Sequence, residues 1–128
     1  GESIPDVIGR VRDFIDTLSR EMTDKRVLAV THGELMWTAR YVLERLLPLE
    51  WQRMDEDKTL RIGNCAVLQY SRQNPEDPTE VVRSMSSGWR RMYDPNDPGA
   101  SPYGGEWIRL NGKRRLTGAA MLELVQTA

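Results

Sequence analysis

The chain has 128 residues, a formal net charge of −1 and 39% hydrophobic residues. This length suits one domain with a buried core, and the composition excludes an intrinsically disordered chain. The balanced charge gives no overall attraction to nucleic acid, and the apolar runs are far shorter than a membrane span. A single cysteine excludes an internal disulfide, which favours the reducing cytoplasm. Taken together, these features predict a cytoplasmic protein that contacts neither nucleic acid nor membrane.

The first predicted element is an amphipathic helix that begins after Ser3 and runs to about Met22. Ser3 and Asp6 have the spacing of a capping box, and Pro5 falls in the first turn, where its missing N–H does no harm. Apolar residues then recur at helical spacing and form one stripe: Val7, Ile8, Val11, Phe14, Ile15 and Leu18.

The next two elements predict an α/β arrangement. Residues 26–30 form an apolar run without alternation, which predicts a buried strand of a parallel sheet. A helix is predicted over residues 34–47, ending before Pro48. Residues 49–60 are polar and predict either a short helix or an ordered loop. The order of helix, strand and helix therefore predicts a three-layer α/β fold with a mostly parallel sheet flanked by helices.

The second half of the chain is predicted to contain short strands joined by turns. The predicted strands are residues 62–70, 80–84 and 106–110, of which 80–84 is the hairpin partner of the first. Prolines and glycines over residues 94–105 predict a loop, and Asn111-Gly112 predicts a hairpin-type turn. Thr117 can cap a final helix. The excess of arginine and lysine over residues 83–115 is interpreted as a solvated basic face.

The single histidine, His32, lies where the predicted strand 26–30 ends and the next helix begins. In open α/β sheets ligands bind at the carboxyl ends of the strands, and helix N-termini attract anions. Because Gly33 follows directly, an imidazole and open backbone N–H groups are expected at one point. His32 is therefore the best candidate functional residue, and the alternative is a structural histidine on an apolar strand.

Three motifs follow one another in a defined order. Gly1-Glu2-Ser3 opens the first helix, Thr-His-Gly-Glu at residues 31–34 follows the apolar run, and Ile-Gly-Asn-Cys-Ala-Val at residues 62–67 opens a strand. In sequence and spacing they resemble the histidine phosphatase superfamily, also called phosphoglycerate-mutase-like proteins. The resemblance covers about residues 1–71.

The resemblance implies phosphoryl transfer through a phosphohistidine, with a small phosphorylated metabolite as the substrate and without metal or other cofactor. It gives His32 the role of the second active-site histidine, with the backbone N–H of Gly33 as a phosphate-binding group. Phosphoryl transfer is catalysed mainly by positioning and charge stabilisation, which suits both groups. Glu2, Ser3 and Glu34 are candidates for positions close to the substrate. Their alternative roles are local, because Ser3 can cap a helix and Glu34 favours the helix dipole.

One part of the family pattern is missing from this chain. No Arg-His-Gly motif occurs, and one histidine cannot be both the nucleophile and the second histidine. We therefore expect residues 1–128 to be the carboxyl-terminal portion of an incomplete domain that lacks its first strand and its nucleophile motif. Such a domain exposes a sheet edge, so the expected partner is the missing amino-terminal segment, a partner chain or a second copy. The alternative is a non-catalytic module that binds phosphate or another protein.

Overall fold

The computed structural model describes residues 3–57, 60–96 and 104–110. These ranges contain three helices: α1 (Ile4–Glu21), α2 (Gly33–Leu43) and α3 (Pro48–Glu56). They also contain three strands: β1 (Val67–Ser71), β2 (Trp89–Tyr93) and β3 (Ile108–Arg109). A short 3-10 turn, Met85–Ser87, precedes β2. The predicted turn at Asn111-Gly112 and the predicted final helix lie outside the described residues.

The first helix confirms the prediction from its cap and its apolar stripe. The Ser3 hydroxyl accepts a hydrogen bond from the Asp6 N–H, and the Asp6 carboxylate accepts one from the Ser3 N–H, both at 3.3 Å. This reciprocal capping box satisfies two N–H groups that have no partner within the helix. α1 packs on α2, and Val11 is the buried residue of its stripe. Ile4 and Phe14 remain about half exposed.

The predicted helix over residues 34–47 is divided in the structure. α2 ends at Leu43, and Arg45 adopts a left-handed backbone with φ of 51°, so the chain changes direction before Pro48 begins α3. The Glu50 carboxylate accepts a hydrogen bond from the Leu47 N–H at 3.3 Å at the start of α3. Of the two predictions for residues 49–60, the short helix is the one that forms, up to Glu56.

The described sheet has the order β1-β2-β3, and both pairings are antiparallel. The prediction of a mostly parallel sheet is therefore not met by the strands that the structure describes. The strand predicted over residues 62–70 begins only at Val67, because residues 63–66 form a turn in which Cys65 has φ of 63°. β1 pairs with β2, whereas residues 80–84 contribute only an isolated bridge from Val81 to Gln73. The strand that pairs with β1 is therefore β2, whereas the sequence analysis had predicted residues 80–84 in that position.

Residues 26–30 do not form the buried strand that their composition predicts. The segment has no regular secondary structure, and Leu28 and Val30 are 87% and 90% exposed. Across the described ranges no backbone hydrogen bond joins it to a neighbour. A strand of a parallel sheet is buried only when strands lie beside it and helices cover both faces. The described part of the chain supplies no such neighbours, so the apolar run stays on the surface.

The buried residues of the described sheet lie on its central strand, β2. Met92 and Trp89 of β2 are 2% and 6% exposed and are the most buried apolar residues of the described sheet. Gly88 precedes β2, and a Cβ at this position would overlap the carbonyl oxygen of Ser71. β2 can therefore approach the end of β1 only because residue 88 has no side chain.

Candidate active site

His32 is the N-cap residue of α2. Its backbone is extended, with φ of −114° and ψ of 168°, and its carbonyl accepts a hydrogen bond from the Met36 N–H at 3.0 Å. The imidazole makes no capping hydrogen bond and is exposed. The first N–H groups of a helix have no partner within it and carry its positive dipole end. An open imidazole and the start of α2 are thus adjacent, as the sequence predicts.

A cleft opens beside the start of α2 and is closed on its other side by the end of α3. Its volume is about 350 Å³. α2 contributes Gly33, Glu34 and Trp37, and the remaining lining residues come from the end of α3 and the segment that follows: Met54, Asp55, Asp57, Arg61 and Ile62. The cleft therefore begins one residue after His32, and it is large enough for a small metabolite.

Gly33 lies close to the segment after α3. A Cβ built at Gly33 would lie 3.8 Å from the carbonyl oxygen of Ile62, which is ordinary van der Waals contact. A side chain would therefore fit at position 33. The group that Gly33 offers to a ligand is its backbone N–H, the first N–H of α2. The candidate phosphate-binding role of Gly33 thus stays a prediction that a Gly33→Ala variant can probe without removing the N–H.

Glu34, Asp55 and Arg61 are exposed charged side chains that line the cleft. No hydrogen bond or ion pair of the Glu34, Asp55 or Arg61 side chains is found within residues 3–57, 60–96 and 104–110. In the same part of the chain, the indole N–H of Trp37 is buried and has no acceptor. Carboxylates accept hydrogen bonds, whereas guanidinium and indole groups donate them. The cleft therefore presents both acceptors and donors.

The other site residues predicted from the sequence are Glu2, Ser3 and Glu34. Ser3 caps α1 through its hydrogen bonds with Asp6, which is the local role considered for it. Glu2 lies outside the described residues. Glu34 lines the cleft, and its carbonyl accepts a hydrogen bond from the Thr38 hydroxyl at 3.0 Å. The structure thus brings His32, Gly33 and Glu34 together at the start of α2.

A buried charged cluster at the other end of α2 was missed by the sequence analysis. Glu44 lies at its centre, and its side chain is 5% exposed. One carboxylate oxygen accepts hydrogen bonds from Arg40 Nε and from the Tyr70 hydroxyl, each at 2.7 Å. The other oxygen accepts one from Arg90 Nη1. Because Tyr70 and Arg90 belong to β1 and β2, the cluster joins the end of α2 to the sheet.

Burial shapes the chemistry of this cluster. It raises the pKa of the Tyr70 hydroxyl well above its usual value of 10.0, and the neighbouring Glu44 carboxylate raises it further. One carboxylate faces two guanidinium groups, and Arg40 Nη1 and Arg90 Nε have no acceptor in the described ranges. The sequence contains one local signal, since Arg40 and Glu44 are four residues apart on a helix. Arg90 belongs to the basic stretch that was interpreted as solvated, and its burial corrects that interpretation.

Within the described residues, no group of three or more histidine, cysteine, aspartate or glutamate side chains could hold a metal ion. The helices that the structure describes include none with the length and apolarity needed to span a bilayer.

Comparison with known proteins supports the interpretation of the three motifs. The family model of the histidine phosphatase superfamily (branch 1) matches residues 1–97 of the 128. Neither curated proteins nor solved structures give a significant match. The matched region contains the N-cap histidine, the cleft and the charged cluster. The chain belongs to the histidine phosphatase superfamily, branch 1.

Proposed function

We propose that this chain supplies the second active-site histidine of a phosphatase or phosphomutase that acts through a phosphohistidine on a small phosphorylated metabolite. His32 is that histidine, and the Gly33 N–H binds a phosphoryl oxygen beside it. The observation that carries the proposal is the exposed imidazole at the N-cap of an 11-residue helix, one residue from a cleft of metabolite size. Membership of the superfamily supports the class of reaction. The single cysteine favours the reducing cytoplasm as the place of action.

The proposed reaction has two steps. A nucleophilic histidine nitrogen forms a bond to phosphorus as the bond from phosphorus to the alcohol oxygen breaks, and the alcohol leaves after protonation by an acid. Water then breaks the phosphorus–nitrogen bond and releases phosphate, whereas a mutase returns the phosphoryl group to an alcohol. During both steps His32 and the N–H groups of α2 stabilise charge on the oxygens that stay on phosphorus. Loss of one such donor typically slows catalysis about 10²–10³-fold.

The nucleophile is proposed to come from polypeptide outside this sequence, which would make the chain the carboxyl-terminal portion of the domain. Two observations support this. The sequence has one histidine and no Arg-His-Gly. The apolar segment of residues 27–30 is exposed and pairs with none of the described strands, which leaves it free to pair with a strand of another polypeptide. We propose that the complementary polypeptide pairs along this segment and places its nucleophile next to His32.

The test compares the chain alone with the chain mixed with a polypeptide that carries Arg-His-Gly after an apolar strand. Alone, the chain is expected to hydrolyse phosphate esters at background rate. Mixing is expected to produce turnover that is lost with His32→Ala and retained with Glu76→Gln, a change at an exposed turn residue. Turnover by the chain alone that disappears in His32→Ala would contradict the need for a complement. Phosphate binding at His32 without turnover in any mixture would favour a non-catalytic binding module instead.

A further inference from the structure

One face of the sheet carries two pairs of an arginine and a tryptophan. Trp89 and Arg109 are partners in the pairing of β2 with β3, and the Arg109 Cζ lies 5.1 Å from the centroid of the Trp89 ring. Arg91 follows two residues later on β2, and its Cζ lies 4.8 Å from the centroid of the Trp107 ring. Because side chains alternate along a strand, both pairs lie on the face opposite to Arg90 and the buried charged cluster.

The two stacked arginines differ in the group that meets their charge. Arg109 Nη1 lies 3.4 Å from a carboxylate oxygen of Glu80. Arg91 Nε donates a hydrogen bond to Gln69 Oε1 at 2.7 Å, and this amide is neutral. Within the described ranges no carboxylate pairs with Arg91, and its two terminal nitrogens have no acceptor. The guanidinium group is thus held by Trp107 and Gln69, while the two nitrogens that can bind a carboxylate side by side stay unused.

A small cavity lies beside Arg91 on the same face of the sheet. Its volume is about 210 Å³, and its lining residues are Val67, Gln69, Arg91, Tyr93 and Gly105. Arg91 is the one charged residue among them, while Val67 and Tyr93 are 48% and 43% exposed. The cavity shares no lining residue with the cleft beside α2. Its size is below the roughly 300 Å³ at which ordinary ligand pockets begin, so it suits a compact group.

We propose that this cavity binds a compact monocarboxylate. The carboxylate pairs with the two terminal nitrogens of Arg91, and the apolar part covers Val67 and the ring of Tyr93. The pair of Arg109 and Glu80 supports this assignment, because there a carboxylate meets a guanidinium group stacked on tryptophan in the same way. One guanidinium group also balances one negative charge. A free acid and the carboxyl terminus of a peptide both offer this chemistry, and the site is independent of the proposed function.

The test titrates the isotope-labelled chain at low ionic strength, where exposed charges are least screened. The signals followed are the Arg91 Nε–H and the Trp107 indole N–H. Benzoate is expected to bind about tenfold more tightly than benzamide, its uncharged counterpart, which corresponds to one hydrogen bond to a charged group. Equal affinities for benzoate and benzamide, or tighter binding of inorganic phosphate than of benzoate at these signals, would overturn the proposal.

A further probe separates the two sources of the carboxylate. It is an acetylated tripeptide that ends in phenylalanine with a free carboxyl group, and its amidated form is the control. Tighter binding of the free peptide than of benzoate would assign the site to a peptide terminus, and weaker binding would assign it to a free acid. The amidated peptide is expected to bind at least about tenfold more weakly than the free peptide, and equal binding of the two would contradict the role of the carboxylate.

Three variants complete the test. Arg91→Gln removes the cation, and Gln69→Glu places a carboxylate of the chain opposite Arg91, since the two residues are partners in the pairing of β1 with β2. Each is expected to lower the affinity for benzoate at least about tenfold. Arg109→Gln is the matched control, because it removes an arginine that already has a carboxylate, and it should leave this affinity unchanged. An unchanged affinity in both Arg91→Gln and Gln69→Glu, with wild-type urea midpoints, would overturn the proposal.

Discussion

The most direct test of the packing argument is the substitution Glu44→Gln. The change keeps the size of the side chain and removes the single negative charge of the buried cluster. Arg40 and Arg90 would then face each other's charge without a carboxylate between them, although both are buried. The amide NH₂ of glutamine would also point a donor at groups that are themselves donors.

The expected cost follows from the contacts of Glu44. Unit charges about 4 Å apart interact by about 4 kcal/mol at an effective dielectric constant near 20, and Glu44 has two such partners. Part of this interaction is offset by the cost of burying the charges, and removal of one member of a buried ion pair typically costs about 3–5 kcal/mol. Because small domains are stable by only about 5–15 kcal/mol, we expect a large loss of the free energy of unfolding.

Urea unfolding followed by tryptophan fluorescence measures this loss. Glu44→Gln should lower the midpoint at an unchanged slope. Glu80→Gln is the matched control, because Glu80 pairs with Arg109 at 3.4 Å on the surface, where an ion pair contributes about 0–1 kcal/mol. Equal losses in the two variants would refute the reasoning that the buried cluster holds α2 on the sheet. If Glu44→Gln does not fold, Tyr70→Phe should still lose about 1.5–3 kcal/mol, the contribution of one hydrogen bond to a charged group.

Three further outcomes are expected. Because the pKa of Tyr70 is raised in the folded state, the free energy of unfolding should fall as pH rises above about 10, by up to about 1.4 kcal/mol per pH unit, and Tyr70→Phe should reduce that slope in urea titrations. The hydroxyl and then the N–H of Thr79 lower the pKa of Asp77, so Thr79→Ala should raise it toward 3.8 in an NMR titration; an unchanged value would contradict this cause. Gly88→Ala should cost about 1–3 kcal/mol, since its Cβ overlaps the Ser71 carbonyl oxygen; thermal unfolding at the wild-type midpoint would show that the strands can separate without cost.

Features that depend on neighbours in the sequence could be predicted. The start of α1 was readable because Ser3 and Asp6 form a local capping box, and its apolar stripe has the helical period. The placement of His32 at a helix start followed from an apolar run, a histidine and a glycine in succession. These signals need only the geometry of a few consecutive residues, so the sequence contains them in full.

Features that depend on distant segments could not be predicted. β1 pairs with β2 across residues 72–88, and the close approach of Gly88 to Ser71 leaves no room for a side chain at position 88. The Glu44 carboxylate accepts hydrogen bonds from Tyr70 and Arg90, which lie 26 and 46 residues further along the chain. No local sequence pattern predicts these contacts. The burial predicted for residues 26–30 required neighbouring strands, which composition alone does not supply.

The exposed run at residues 27–30 has a consequence for the thermodynamics of the chain. A polypeptide that paired along Leu28 and Val30 in the folded chain alone would add its binding free energy to the stability of the fold. A ligand at a hundredfold excess over its Kd contributes about 2.7 kcal/mol, a substantial fraction of a small domain's total. With the proposed pairing along residues 27–30, the melting temperature of this chain would rise with the concentration of the complementary polypeptide.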